Sequence, residues 1–189
     1  MTITAPKDTN PLATIMAGAK AGGARGPAPV HLWNPPFCGD IDIEIRRDGS
    51  WWHEGRPIRR AGMAQLFASI LLYEGDEYFL VTPAEKVRIR VEDCPFLVTD
   101  MDVEQKGDPS TQAITLHTSL GEVVTIDPEH PLCCEAKTEP HPTVVIRSGL
   151  TALLSRAVYY RLAELAQAES DADDAALGVW SCGQFFALL

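Results

Sequence analysis

Between Tyr78 and Arg147 the chain breaks every few residues into short runs suited to extended backbone, joined by connections too brief to hold a helix. The runs are Tyr78 to Thr82, Val87 to Glu92, Phe96 to Glu104, Gln112 to Thr118, Glu122 to Ile126, a weaker one from Leu132 to Ala136, and Thr143 to Arg147. Pro83-Ala84-Glu85-Lys86, Asp93-Cys94-Pro95, Lys106 to Ser110 and Leu120-Gly121 join most of them. Parallel neighbours need a crossover of about a dozen residues or more, so this spacing favours an antiparallel meander over β-α-β units. Beyond it, Leu150, Leu153, Leu154, Ala157, Val158, Leu162 and Leu165 fall on one helical stripe, with Ser148 placed as a cap. The expectation is a small antiparallel barrel or orthogonal sandwich with a C-terminal helix.

A shorter β-then-helix unit precedes it. Ile41, Ile43 and Ile45 alternate with Asp42, Glu44 and Arg46, the period of a half-buried strand, and Asp48-Gly49 turns the chain into a return strand from Ser50 to Glu54. The Trp51-Trp52 pair then puts one indole on each face, one of them in the core. After Gly55-Arg56-Pro57, the apolar positions Met63, Leu66, Phe67, Ile70 and Leu71 predict an amphipathic helix from Arg59 to Tyr73. The expected fold class is therefore α+β, with two repeated β-plus-helix units over 35–75 and 76–168. Residues 1–34, rich in Ala, Gly, Pro and Thr, read as a mobile tail in which Pro11 to Lys20 alone suits a short helix. Residues 169–189 read as an acidic linker followed by LGVWSCGQFFALL, which is too apolar to sit in water and too short to span a bilayer. It must dock on this chain's own sheet, on a homodimer partner or on a membrane surface.

Acidic residues outnumber Lys and Arg by 26 to 16, and a net charge of -10 disfavours nucleic acid as a partner. Five cysteines without a C-x-x-C pair, and the lack of a signal-peptide or membrane-span pattern, point to reduced thiols in a soluble, cytoplasmic setting.

Candidate chemistry is sparse. Arg88 and Arg90 suit a cross-strand charge ladder with Asp42 and Glu44, whereas Thr82, Glu85 and Lys86 lie in a proline-bearing turn at a strand end, where an anion site could form. His53 and Glu54 close the first hairpin beside the tryptophans and could act as acid and base, yet no nucleophile or orienting residue accompanies them. His130, Cys133, Cys134 and His141 fit no zinc spacing, because adjacent cysteines on a strand face opposite ways. Asp40 and Asp42 share a strand face but lack further acidic ligands for Mg²⁺. Neither a phosphate-binding loop nor a cofactor motif is present.

The ordered segments CGDIDIEI, DGSWWHEGRPI, LFASIL, FLVTPAEKVRIRVEDCPF and VIRSGLTALLSRAVYYRL resemble the motifs of the bacterial family called Domain of Unknown Function 1285. The resemblance implies two repeated β-plus-helix units, the second superficially similar to pleckstrin-homology domains, a comparison that the strand count also suggests. It further implies a signalling or ligand-binding role at the interface of the units, and places Asp40, Asp42, Trp51, His53, Glu54, Thr82, Pro83, Glu85, Lys86, Asp93 and Arg147 in motif segments. Cys94 stands where that family is expected to carry a small residue. The reading carried forward is a non-enzymatic ligand-binding or regulatory (signalling) protein with a pocket for a small anionic molecule at the interface of its two units, and ligand contacts among Asp40, Asp42, Trp51, His53, Glu54, Thr82, Glu85, Lys86 and Arg147. The alternatives are a hydrolase or transferase using His53 and Glu54, and an interaction module acting through the C-terminal tail.

Overall fold

The alternating isoleucines form strand β1 (Phe37–Ile45), whose Ile43 and Ile45 are fully buried, in a computed structural model that describes residues 11–21, 26–135, 140–169 and 176–188. Around it a six-stranded sheet assembles from β2 (Trp51–His53), β3 (Arg56–Pro57), β4 (Leu71–Glu74), β5 (Glu77–Val81) and β6 (Lys86–Val91), in the order β3-β2-β1-β6-β5-β4. A second six-stranded sheet comprises β7 (Phe96–Glu104), β8 (Ala113–Thr118), β9 (Val123–Thr125), β10 (Leu132–Glu135), β11 (His141–Arg147) and β12 (Leu150–Leu154), in the order β10-β11-β12-β7-β8-β9. Numbered from its own first strand, each sheet runs 3-2-1-6-5-4. In each, the first and last strands pair in parallel, β1 with β6 and β7 with β12, and the other pairs are antiparallel. The meander expected from the short connections exists, but as two three-stranded meanders in each sheet, joined by one parallel pair.

The chain divides into two units, Met1–Ile45 with Ser50–Val91, and Arg46–Gly49 with Glu92–Leu189. This differs from the boundary expected after residue 75. β5 and β6 complete the first sheet because β6 hydrogen-bonds along β1, with Asp40 opposite Arg88 and Glu44 opposite Arg90. The class is mixed α+β with three α-helices among the described residues.

In the first unit, α1 (Pro11–Ala21) buries Ile15 and Ala19 and packs on α2 (Ala61–Ser69) and β5. That corrects the expectation of a mobile tail over 1–34 for its described part; residues 1–10 and 22–25 lie outside the described residues. Gly18 of α1 sits so close to Thr82 that an added Cβ would lie 2.9 Å from the threonine Cβ. Helix α2 is shorter than the stripe predicted. Ile70 and Leu71 are buried, as a helical stripe requires, but the chain leaves the helix there and Leu71–Glu74 pairs with β5. Trp51 is in the core against Phe67, with ring centroids 6.0 Å apart, while Trp52 is half-buried, so the tryptophans divide as expected.

The second unit contains the largest departure from the sequence reading. Leu150 to Leu154, expected to begin a helix capped by Ser148, is strand β12, with Leu150, Ala152 and Leu154 buried in alternation. Ser148 (φ 45°) and Gly149 (φ 77°) form a two-residue left-handed turn that returns the chain along β11, a geometry suited to a Gly-bearing hairpin. The helix starts later, as α3 (Arg156–Ala163), and Ser155 caps it by accepting the Val158 N–H at 3.4 Å.

The apolar tail folds by the same device. Cys182 (φ 53°) and Gly183 (φ 74°) turn β14 (Leu177–Ser181) into β15 (Gln184–Ala187), and β13 (Gln167–Ala168) completes a three-stranded sheet. Val179, Phe186 and Leu188 are buried within the second unit. The hairpin is fastened to β8 by polar bonds: the Gln112 side-chain amide donates to the Trp180 carbonyl at 2.6 Å, and the Ile114 N–H donates to Ser181 Oγ at 3.1 Å. The tail therefore docks on its own unit, the first of the three expected alternatives, with Val179, Phe186 and Leu188 covered and Leu177 still exposed. The expected acidic linker falls mostly at 170–175, outside the described residues.

Ser181 is fully buried, so Ser181→Ala leaves the Ile114 N–H without its acceptor and should cost about 1–3 kcal/mol in urea unfolding, with an unchanged m-value. An unchanged midpoint would show the hairpin to be loosely attached. Glu85, in the turn between β5 and β6, has its carboxyl pKa raised by burial, and its Oε1 has no hydrogen-bond partner among the described residues. A carboxyl with a raised folded-state pKa favours folding while protonated and loses that contribution as pH rises through the folded value. Glu85→Gln should therefore raise the thermal midpoint at pH 7 and leave it nearly unchanged near pH 3, below the ordinary glutamate pKa of about 4.3.

Candidate functional site

The charged residues of β6 are already satisfied. Arg88 forms a two-pronged pair with Asp40 at 2.8 and 3.0 Å and reaches Glu77 as well, while Arg90 meets Asp42 at 2.7 Å. The expected ladder exists, one step along from the expected partners. The Arg88 hydrogen bonds hold the Asp40 carboxyl below its usual range and raise the guanidinium pKa. Lys86 pairs with Glu74 and lies over the Phe79 ring at 4.1 Å. Asp40, Glu77, Arg88 and Arg90 line an exposed cleft of about 520 Å³, with Arg88 neutralised there by Asp40 and Glu77.

Thr82 is buried and serves its own turn: its Oγ1 accepts the Ala84 and Glu85 N–H groups at 3.3 and 3.2 Å. Arg147, in the second unit, pairs with Glu122 and stacks over Phe96 at 5.2 Å. Trp51 lies in the core, its indole N–H without a partner among the described residues. Of the nine candidate contacts, Asp40, Asp42, Trp51, Thr82, Lys86 and Arg147 are thus engaged by their own unit, and Glu85 lies in the turn that Thr82 closes.

His53 and Glu54 are placed differently. β2 ends at His53, Glu54 (φ 49°) and Gly55 make the turn, and β3 returns with Arg56 opposite His53. Glu54 is therefore a left-handed turn residue rather than the last residue of a strand. Its N–H donates to the Asp42 carbonyl at 3.0 Å, and the Ile58 N–H donates to the Trp51 carbonyl at 2.7 Å, which fixes the path of the return. The segment then feeds Arg59 and Arg60 into the N-terminus of α2.

Together Leu12, His53, Glu54, Arg56, Pro57, Ile58, Arg59, Arg60 and Met63 line a cleft of about 480 Å³. Three guanidiniums face one carboxylate here, a local reversal of sign in a chain of net charge -10. Arg56, Arg59 and Arg60 are exposed and form no ion pair among the described residues. Arg60, the residue before α2, provides no side-chain cap, and the first N–H groups of any helix lack intrahelical acceptors. Leu12, Pro57, Ile58 and Met63 supply apolar wall. This arrangement can hold an anion attached to a small apolar body. No hydrogen bond joins His53 to Glu54 among the described residues, and no nucleophile lines the cleft, so the orienting contacts of acid–base chemistry are not in place.

The sequence reading used Gly55-Arg56-Pro57 only as a turn and missed these arginines. Their signal was present: GRPIRR carries three of the chain's 16 basic residues within five positions.

Comparison with known proteins agrees with the motifs. The model of the DUF1285 N-terminal domain, a domain of unknown function, matches residues 28–94, and that of the DUF1285 C-terminal domain, from proteins of unknown function, matches 95–188. The crystal structure of a DUF1285 family protein from Silicibacter pomeroyi DSS-3 is 45% identical, covering 93% of this chain and 94% of its own, with a TM-score of 0.83. A DUF1285 family protein from Shewanella baltica OS155 is 32% identical over 65% of this chain and 91% of its own, with a TM-score of 0.52. No curated protein matches. With both domain models matched in order along nearly the whole described chain, the protein belongs to the DUF1285 family.

Proposed function

We propose that the protein is a non-enzymatic ligand-binding protein of regulatory type, and that the cleft of Arg56, Arg59 and Arg60 in its first unit receives a small anion with an apolar part. One observation carries this reading: three arginines without ion-pair partners among the described residues line a cleft in an otherwise strongly acidic chain. An unpaired guanidinium keeps its donors for a ligand, whereas Lys86 and Arg88 have spent theirs on Glu74, Asp40 and Glu77. The ligand-binding role expected from the sequence is retained, and its centre moves from the Thr82–Lys86 turn to the β2–β3 turn. The shared strand order supports reading the two units as repeats, and six strands followed by α3 support the pleckstrin-homology comparison for the second. A reduced, cytoplasmic setting is part of the proposal, supported by five free cysteines. Among the described residues no helix is long and apolar enough to cross a membrane.

Thermal unfolding and calorimetry with inorganic phosphate, pyrophosphate, citrate and benzoate test it. At least one anion should stabilise the wild-type chain, and Arg59→Ala combined with Arg60→Ala should weaken that binding at least tenfold. The ligand-free midpoint should move by no more than a few degrees, because both side chains are exposed. Lys86→Ala, at a residue that does not line the cleft, should bind like wild type. Equal stabilisation of the double variant, or none by any anion, would overturn the assignment.

A further inference from the structure

The second unit brings together three side chains of different chemistry that no sequence spacing connects. Asp93 and Cys94 lie in the bend before β7, and His141 opens β11. His141 Nε2 is 2.8 Å from Asp93 Oδ1 and 3.0 Å from Oδ2, Cys94 Sγ is 3.5 Å from Oδ1, and one ligand atom from each residue lies within 4.8 Å of the others. We propose that Asp93, Cys94 and His141 form a binding site for a divalent transition-metal ion of the zinc class.

Ligand type supports this first. One thiolate, one imidazole and one carboxylate suit a borderline-soft cation, and together they would carry two negative charges against its two positive ones. Adjacent residues on a strand face opposite ways, but a bend lets Asp93 and Cys94 converge. A tetrahedral zinc ion places sulfur and oxygen ligands about 3.5 Å apart and nitrogen and oxygen about 3.3 Å apart, so the Sγ–Oδ1 edge already has the right length and the Nε2–Oδ1 edge must open by about half an ångström.

The surroundings are also suitable. Asp93 and His141 side chains are 17% and 19% exposed and Cys94 is 6% exposed, which leaves three inward ligands with access for a fourth from solvent. Arg47 Nε holds the other carboxylate oxygen, Oδ2, at 3.2 Å, and the Thr151 hydroxyl lies 3.5 Å from Cys94 Sγ. These are the outer contacts that orient metal ligands. Without a cation, burial pushes the Cys94 thiol up to about 11. Metal binding would displace the thiol proton to solvent, and the imidazole proton would sit on Nδ1 when Nε2 ligates, so affinity should rise with pH. His130, by contrast, is committed to the Val145 carbonyl at 3.1 Å, and Cys133 is exposed, so the cluster first considered from the sequence does not gather here.

Cobalt(II) titrated anaerobically into the reduced full-length chain decides the matter, because a cysteine thiolate bound to cobalt gives a near-ultraviolet charge-transfer band. One equivalent should produce the band, zinc should displace it, and both Cys94→Ser and His141→Gln should abolish it while Cys133→Ser retains it. Absence of the band, or its persistence in Cys94→Ser and His141→Gln, would overturn the proposal, the latter result placing the metal on other thiols. Far-ultraviolet circular dichroism checks that each variant folds. Should Cys94→Ser unfold, His141→Gln and Asp93→Asn, at partly exposed positions, carry the same decision.

Discussion

Each sheet is held together at its centre by the pairing of its first strand with its last. β1 reaches β6 and β7 reaches β12 only after four other strands have been laid down between them, so these parallel pairs are the long-range contacts on which both units depend. In the first unit the Asp40–Arg88 and Asp42–Arg90 pairs run along this seam. Their exposure makes them register marks rather than a source of stability, since solvent screens such pairs. The stability lies on the other face, with Ile43, Ile45, Val87 and Ile89.

The same seam separates committed charge from available charge. Cations on β6 find carboxylates opposite them on β1 and beside them on β4 and β5. Arg56, Arg59 and Arg60 emerge where β2 turns away and the chain enters α2, beyond the last carboxylate of the ladder. Their lack of ion pairs among the described residues follows from that position, and it gives the cleft its sign.

Much of this was legible in the residues. The alternation of Ile41 to Ile45, the runs from Tyr78 to Arg147, the division of Trp51 from Trp52 and the five ordered motifs led to strands, to a mixed α+β fold and to the family. The misses share a cause. Leu150, Leu153 and Leu154 satisfy a helical stripe as well as strand alternation permits, and what decides between them is the left-handed turn at Ser148-Gly149. The Cys182-Gly183 turn likewise converts an apolar tail into a buried hairpin. Both are two-residue connections ending in glycine, a local signal that propensity and periodicity do not register.

The residue pattern by itself determined where the backbone is extended, which faces are apolar and how much charge the chain carries, because these follow from local periodicity and composition. Tertiary structure decided which strands are neighbours, and with that which charges neutralise one another. It assigned β5 and β6 to the first sheet, occupied Lys86 and Arg147, left the GRPIRR arginines without ion pairs among the described residues, and placed His141 against Asp93 across 48 positions of chain, with Cys94 beside them. A site is made by distances between residues far apart in the sequence, and those distances are set by the parallel closure of each sheet rather than by any spacing along the chain.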